Sequence, residues 1–326
     1  MKEYKYLSAQ QREHFLEHGW VRIPNAIPKE HVELFSSNVW IRLGYDPEDK
    51  STWKQEKVHM PRHRQIPTKD FAPIAWGAMC ELLGGEDRVA THIDIAYTSG
   101  DSLICNFGSE YWENHDISPR DFDNWHVDGD WFTHFLDSPE QGLVVIQLYN
   151  DIIPRAGPTW IVEDGLSYVC KWLHDHPHGD DTKSLCRDPE TGVPVDEIKA
   201  CERFVELTGN AGDVFLCHPF MPHSASKNHL RIPRFITNPP VSLKEPFNYN
   251  RTNPEDYSLV ELKTLQSLGV SSLPDWKITG ERLGFTPRTR AGKDALIKSE
   301  LARMKAHAEK TGGVVESMHL KSEVVV

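Results

Sequence analysis

Residues 212–238 read Gly-Asp-Val-Phe-Leu-Cys-His-Pro-Phe-Met-Pro-His-Ser-Ala-Ser-Lys-Asn-His-Leu-Arg-Ile-Pro-Arg-Phe-Ile-Thr-Asn. The run from Asp213 to His218 is apolar and β-prone, and so is the run that starts at Arg234. Pro219, Pro222 and Pro233 punctuate what lies between. The spacing predicts a strand, a short loop carrying His223, and a returning strand that begins at Arg234. Upstream the same texture recurs from about Arg88, in VATHIDIAYT, DSLICNFG, GLVVIQLYND, PTWIVE and RFVELT. Many short strands separated by Gly, Pro, Asp and Asn predict a mainly β sandwich or barrel with flanking helices.

The flanks read differently. Residues 1–45 predict a helical preface: Ser8 caps QQREHFLEH, Gly19 ends it, WVRIP is extended, and Pro28 opens KEHVELFSSNVWIRLG as a second helix. The polar stretch 172–195 predicts an insertion between strands, able to act as a lid. Residues 247–326 turn polar and then helical, with KDALIKSELARMKAHAEK amphipathic and suited to a homodimer contact, before a tail expected to fray. With no internal repeat, the expectation is one domain over 1–326, its β core at about 88–243.

Composition narrows the function classes. The 326 residues are 39% apolar and carry a formal net charge of −12, which repels a phosphate backbone, so a nucleic-acid partner is not expected. No apolar run approaches the ~18 residues of a bilayer span, and the first residues lack the apolar core of a secretory signal. A protein without membrane partners, in the cytoplasm, is the expectation. Six scattered cysteines without a CxxC pair read as reduced packing residues.

The chemistry sits in Asn124-Trp125-His126-Val127-Asp128-Gly129-Asp130. On an extended segment His126 and Asp128 point to one side, so an imidazole and a carboxylate converge on one point. This is two-thirds of the 2-His-1-carboxylate triad that holds Fe(II) on one face and leaves positions open. The spacing alone is weak, since His-x-Asp/Glu is expected by chance roughly 2.5 times in a chain of this composition. Two of the other matches fall in predicted helices and one in the polar insertion; His92-Ile93-Asp94, in a good strand, is the rival. His223 supplies a third ligand, with His218 as its competitor, and Arg234 supplies a guanidinium, with Arg231 as its competitor. A planar guanidinium suits the far carboxylate of a dicarboxylic 2-oxoacid whose near end chelates iron.

Taken together, His126-x-Asp128, the long gap, His223, and Arg234 eleven residues later with an Asn between them resemble the phytanoyl-CoA dioxygenase family of Fe(II)/2-oxoglutarate oxygenases. The opening QQREHFLEHGWVRIP and Gly157-Pro158-Thr159 are similar to that family too, so the resemblance spans about residues 8–243. It implies a double-stranded β-helix of jelly-roll, cupin-like type. It further implies His126, Asp128 and His223 as iron ligands and Arg234 as the 2-oxoglutarate clamp. Thr159 matches a hydroxyl position near the cosubstrate, and Asn106 is a candidate contact to its metal-side carboxylate. Where the family often has a serine two residues after the distal histidine, this chain has Ala225, flanked by Ser224 and Ser226; Ser226 is taken as the candidate helper of Arg234. The implied reaction uses Fe(II), 2-oxoglutarate and O2, releases succinate and CO2, and hydroxylates, desaturates or cyclises a small organic molecule.

Other readings stay open at this point: the same fold acting on an acyl-CoA thioester, a non-catalytic jelly-roll binding protein, and a zinc hydrolase built on the same triad. Trp125, Trp131, Phe132 and Trp160 either line a substrate pocket or belong to the core. His174-Asp175-His176-Pro177-His178 reads as a solvated loop more readily than as a second metal site, and His59-Met60-Pro61-Arg62-His63-Arg64 as a charged loop or an anion contact. The rival dyad is settled by metal binding: His92→Ala is expected to keep a bound ferrous ion and His126→Ala to lose it, as read by metal content after desalting.

Overall fold

A computed structural model describes residues 3–91, 97–179, 195–284 and 293–320. Eleven strands are described: β1 (Trp20–Ile23), β2 (Lys57–His59), β3 (Gln65–Pro67), β4 (Thr98–Gly100), β5 (Ile104–Asn106), β6 (Val144–Leu148), β7 (Thr159–Val162), β8 (Phe204–Leu207), β9 (Val214–Cys217), β10 (His223–Ala225) and β11 (Arg234–Thr237). A six-stranded sheet runs β1-β9-β6-β11-β5-β2 and a three-stranded sheet β10-β7-β8, every described pair antiparallel. From β6 onward the chain passes from the large sheet to the small one at β7, returns at β9, crosses again at β10 and returns at β11. That repeated crossing is the double-stranded β-helix, and the mainly β fold with flanking helices is what the sequence predicts.

The apolar runs become the innermost strands. β6 and β9 are buried along their whole length, flanked on both sides by paired strands and covered on both faces, which is why they read as unbroken apolar sequence. In the preface, Ser8 caps the helix Ala9–His18 and Gln11 returns a bond to the Ser8 amide, while Gly19 closes the helix at φ 79°. The second predicted helix divides into Lys29–Ser36 and Val39–Leu43. Ser36 Oγ donates to the Val32 carbonyl at 2.7 Å, a back-bond that competes with the helix ladder at the break.

Three further differences from the sequence expectation bear on the site. His223 lies on a short strand, because its segment pairs with β7 in register His223↔Ile161 and Ala225↔Thr159. The expected insertion begins late, since Trp172–Asp175 completes the helix Gly165–Asp175; residues 180–194 lie outside the described residues. The start of the tail is docked: the Met318 amide donates to the His63 carbonyl at 2.8 Å.

That docking belongs to a buried charge network. Arg42, fully buried, meets Asp101 Oδ2 at 3.0 Å and Glu300 Oε2 at 2.7 Å, and donates to the Pro61 carbonyl. His63 contacts Glu300 Oε2 at 3.1 Å and Ser317 Oγ at 2.8 Å. The helix Lys293–Thr311 is thus tied by charge to the helix Val39–Leu43 and to the loop after β2, beside its buried Met304. Removing one member of a buried pair leaves the other charge uncompensated. Glu300→Ala is therefore expected to destabilise the fold by about 3–5 kcal/mol, measured as a lowered denaturation midpoint.

Candidate metal and anion site

The His126 segment joins the small sheet beyond β10. Its backbone exchanges two hydrogen bonds with His223, His126 N–H to His223 O at 3.0 Å and His223 N–H to His126 O at 2.9 Å. Directly opposed residues in such a pair share a face, which brings the two rings to a centroid distance of 4.3 Å. Asp128, two residues along, turns back to the same point. Its Oδ1 lies 3.4 Å from His126 Nε2 and 3.5 Å from His223 Nε2. One ligand atom from each of the three falls within 4.8 Å of the others, the one such group of three or more metal-ligating side chains among the described residues.

The outer contacts orient these groups as a metal site needs. His126 Nδ1 lies 2.8 Å from the Asn124 carbonyl and His223 Nδ1 3.0 Å from the Met221 carbonyl. A carbonyl only accepts, so each Nδ1 carries a hydrogen and each Nε2 is the nitrogen turned towards Asp128, donating to it when the ring is protonated and offering a lone pair to a metal when it is neutral. Asn238, at the end of β11, donates its amide to Asp128 Oδ2 at 3.3 Å, leaving Oδ1 towards the imidazoles. Burial opposes ionisation of Asp128, but the charge of His223 and hydrogen bonds from both rings outweigh it and hold the carboxyl well below its ordinary range. Two nitrogens and one ionised oxygen on one side of a point are a donor set that fits a ferrous ion.

Arg234 is buried on β11, opposite Asn106 of β5, which in turn lies opposite Lys57 of β2. The three side chains therefore form a row across neighbouring strands on one face. Arg234 Nε donates to the Gly157 carbonyl at 3.0 Å, and Nη2 is buried without a hydrogen-bond partner. Among the described residues no carboxylate pairs with this guanidinium, and burial pushes its pKa down to about 10. Lys57 Nζ reaches the Ala225 carbonyl at 3.5 Å; burial first, then the charges of Lys227 and Arg234, push it down to about 8. Two cations on one face, one of them with an unfilled donor, make a site for an anion. Ala225 is two residues from His223 along a strand, roughly 7 Å.

Gly157 makes this corner possible. Its φ of 75° suits glycine, and a Cβ there would stand 2.5 Å from Asn106 Nδ2. The Asn106 amide donates to the Ser226 carbonyl at 2.9 Å and the Gly157 carbonyl at 3.4 Å, and its oxygen accepts from Gly108 N. Ser226 Oγ donates to the Pro158 carbonyl at 2.8 Å. Both side chains are engaged with backbone beside Arg234. Thr159, buried and opposite Ala225, lies on the face of the small sheet that carries His223.

The competitors are placed elsewhere. His218 Nε2 meets Thr264 Oγ1 at 2.9 Å and its Nδ1 accepts from Phe220 N, and burial brings its pKa down to about 3. Arg231 stacks towards Trp53 at 5.8 Å and approaches Glu110 and Glu113. His92 and Asp94 lie outside the described residues. Trp125 is buried, bonded to the Pro119 carbonyl and stacked on Phe122, a core position, and Trp160 packs edge-on against Phe122. His174 bonds its neighbour Asp175, and His176 stacks on Trp172. Lys57 and Asn238 are the two site residues that sequence reading misses. Lys57 sits in a stretch without strand periodicity, and Asn238 in a Pro-rich turn.

No protein-family model matches the chain, and no curated protein matches it in sequence. Among solved structures it is similar to HygX from Streptomyces hygroscopicus with nickel, 2-oxoglutarate and hygromycin B bound, at 14% identity over 73% of this chain and 88% of that one, TM-score 0.38. It is similar also to SnoK, a non-heme alpha-ketoglutarate-dependent carbocyclase from nogalamycin biosynthesis, at 16% identity over 86% and 97%, TM-score 0.40. EvdO2 from Micromonospora carbonacea var. aurantiaca matches at 15% identity over 79% and 99%, TM-score 0.43. At this identity and overlap these likenesses assign no activity to the chain.

The contact from Asn238 gives a direct test of the site. Asn238→Ala is expected to weaken divalent-metal affinity roughly 10-fold or more, measured by calorimetric titration with Ni(II), while the fold and its melting temperature are retained.

Proposed function

We propose that the protein is a non-haem Fe(II)/2-oxoglutarate-dependent oxygenase acting on a small organic molecule. The observation that carries this reading is the buried Arg234 guanidinium, unpaired by any described carboxylate and with Nη2 unfilled, in a row with Lys57, whose Nζ reaches the Ala225 carbonyl two residues along β10 from the His223 of a two-imidazole, one-carboxylate cluster. A ferrous ion there would supply the oxidising chemistry, coupling the conversion of 2-oxoglutarate and O2 into succinate and CO2 to oxidation of a C–H bond.

This chain's residues have separable tasks in that reading. His126, Asp128 and His223 hold the metal on one face, and the carbonyls of Asn124 and Met221 keep both imidazoles in the ligating tautomer. Arg234 and Lys57 bind the far carboxylate of the diacid, Arg234 through its planar fork and Lys57 as a second positive charge. Thr159 borders the space between the two ends. Burial of the guanidinium keeps water from competing for its donors, which strengthens the charge-assisted bonds to the guest. A zinc hydrolase built on the same triad leaves Arg234 and Lys57 without an acid to hold, so the oxygenase fits the donors present better.

The test is spectroscopic and needs no knowledge of the oxidised substrate. Adding 2-oxoglutarate to the anaerobic Fe(II) protein is expected to give the weak visible charge-transfer band of a chelate. Arg234→Met should raise the concentration needed by roughly 30-fold or more, and His223→Ala should abolish the band. A colourless mixture with wild-type protein would overturn the reading.

A further inference from the structure

A cavity of about 360 Å³ lies between the loop after β2, the turn after β11 and the C-terminal helix with its tail. Three basic residues line it, Arg62, Lys293 and His319, and no aspartate or glutamate does. That is a local reversal in a chain with 48 acidic residues against 36 lysines and arginines.

Arg62 is the centre of it. Its Nη1 donates to Thr98 Oγ1 at 2.9 Å and Gln65 Oε1 at 3.3 Å, both neutral acceptors, and among the described residues it makes no ion pair. Asp101, the carboxylate that acts on it electrostatically, is taken up by Arg42 and by the amides of His63 and Arg64. Gly100 leaves it room, since a Cβ at that position would run into the guanidinium. A half-buried guanidinium held by neutral groups keeps donors for a charged guest. Lys293, half-buried on the helix Lys293–Thr311, adds a second positive charge to the lining.

The cavity is tied to the triad by one residue. Asn238 lines it and also donates to Asp128 Oδ2. We propose that the cavity is the anchoring end of the substrate site: it binds a carboxylate or phosphate carried by the small-molecule substrate, with the rest of that molecule extending past Asn238 towards the triad. The C-terminal helix and tail thereby become walls of the substrate site and determinants of specificity. This inference rests on the oxygenase reading for the word substrate, but the anion site itself does not.

The experiment separates the two. Ni(II)-loaded protein is first titrated with 2-oxoglutarate, then, saturated with it, with benzoate and with inorganic phosphate, by calorimetry. Saturation keeps these probes away from Arg234. At least one probe is expected to bind in the millimolar range; benzoate alone identifies a carboxylate pocket and phosphate alone a phosphate pocket. Arg62→Gln should weaken that binding about 10-fold, with Arg62→Lys in between and 2-oxoglutarate affinity unchanged. Lys293→Gln, on a half-buried side chain, should weaken it roughly threefold and carries the test if Arg62→Gln fails to fold. The inference is overturned if neither probe binds, or if both variants bind them as wild type does. Binding that depends on Arg62 in a protein that never binds 2-oxoglutarate would leave the anion pocket standing and remove the oxygenase.

Discussion

Two backbone hydrogen bonds, exchanged between His126 and His223, are the constraint on which the site depends. They belong to the small sheet and would form between any two residues at that register, yet they fix two imidazoles on one face and leave Asp128 to close the third corner. The sheet does the positioning, so the side chains need only the right identity. Geometry set by ladder bonds is stiff, because shifting either strand by one residue would turn its histidine to the other face.

The same scaffold handles charge in two opposite ways. At Arg42 the cation is buried with both its acids in place, and the network serves packing by holding the C-terminal helix. At Arg234 the cation is buried, and at Arg62 half-buried, with neutral partners only. Desolvating an unpaired charge opposes folding, and the packed sheets around it must outweigh that opposition. Such positions are where a guest anion contributes most, since it supplies the missing countercharge to a group already dehydrated and oriented.

Much of this is legible in the sequence, for physical reasons. Period-two alternation and apolar runs mark β1, β5–β9 and β11, and the Ser8–Gln11 pair marks the first helix by its capping chemistry. His126 and Asp128 can be picked out because two residues apart on an extended segment share a face, Arg234 because it opens a strand, and His223, expected on a loop, because it lies eleven residues before that arginine. Lys57 and Asn238 cannot. Their roles come from cross-strand register and from a turn, and register between strands distant in sequence leaves no periodic trace along either. The side-chain amide of Asn106 illustrates the limit from the other direction: its residue type is legible, while its engagement with the carbonyls of Gly157 and Ser226 follows only from the fold. The helix Gly165–Asp175 escapes notice because it begins directly after β7 with no cap hydrogen bond at Asp164.

Arg42 and Glu300 are separated by 258 positions along the chain. A ribosome therefore exposes the arginine on the order of tens of seconds before its acid emerges. During that interval the nascent chain can pair its strands, since β11 is already out, but it cannot complete the burial of that cation or raise the last wall beside Arg62. Closure of this protein is for that reason a late event: the barrel is available early, and the finished enclosure must await the helix that carries Glu300.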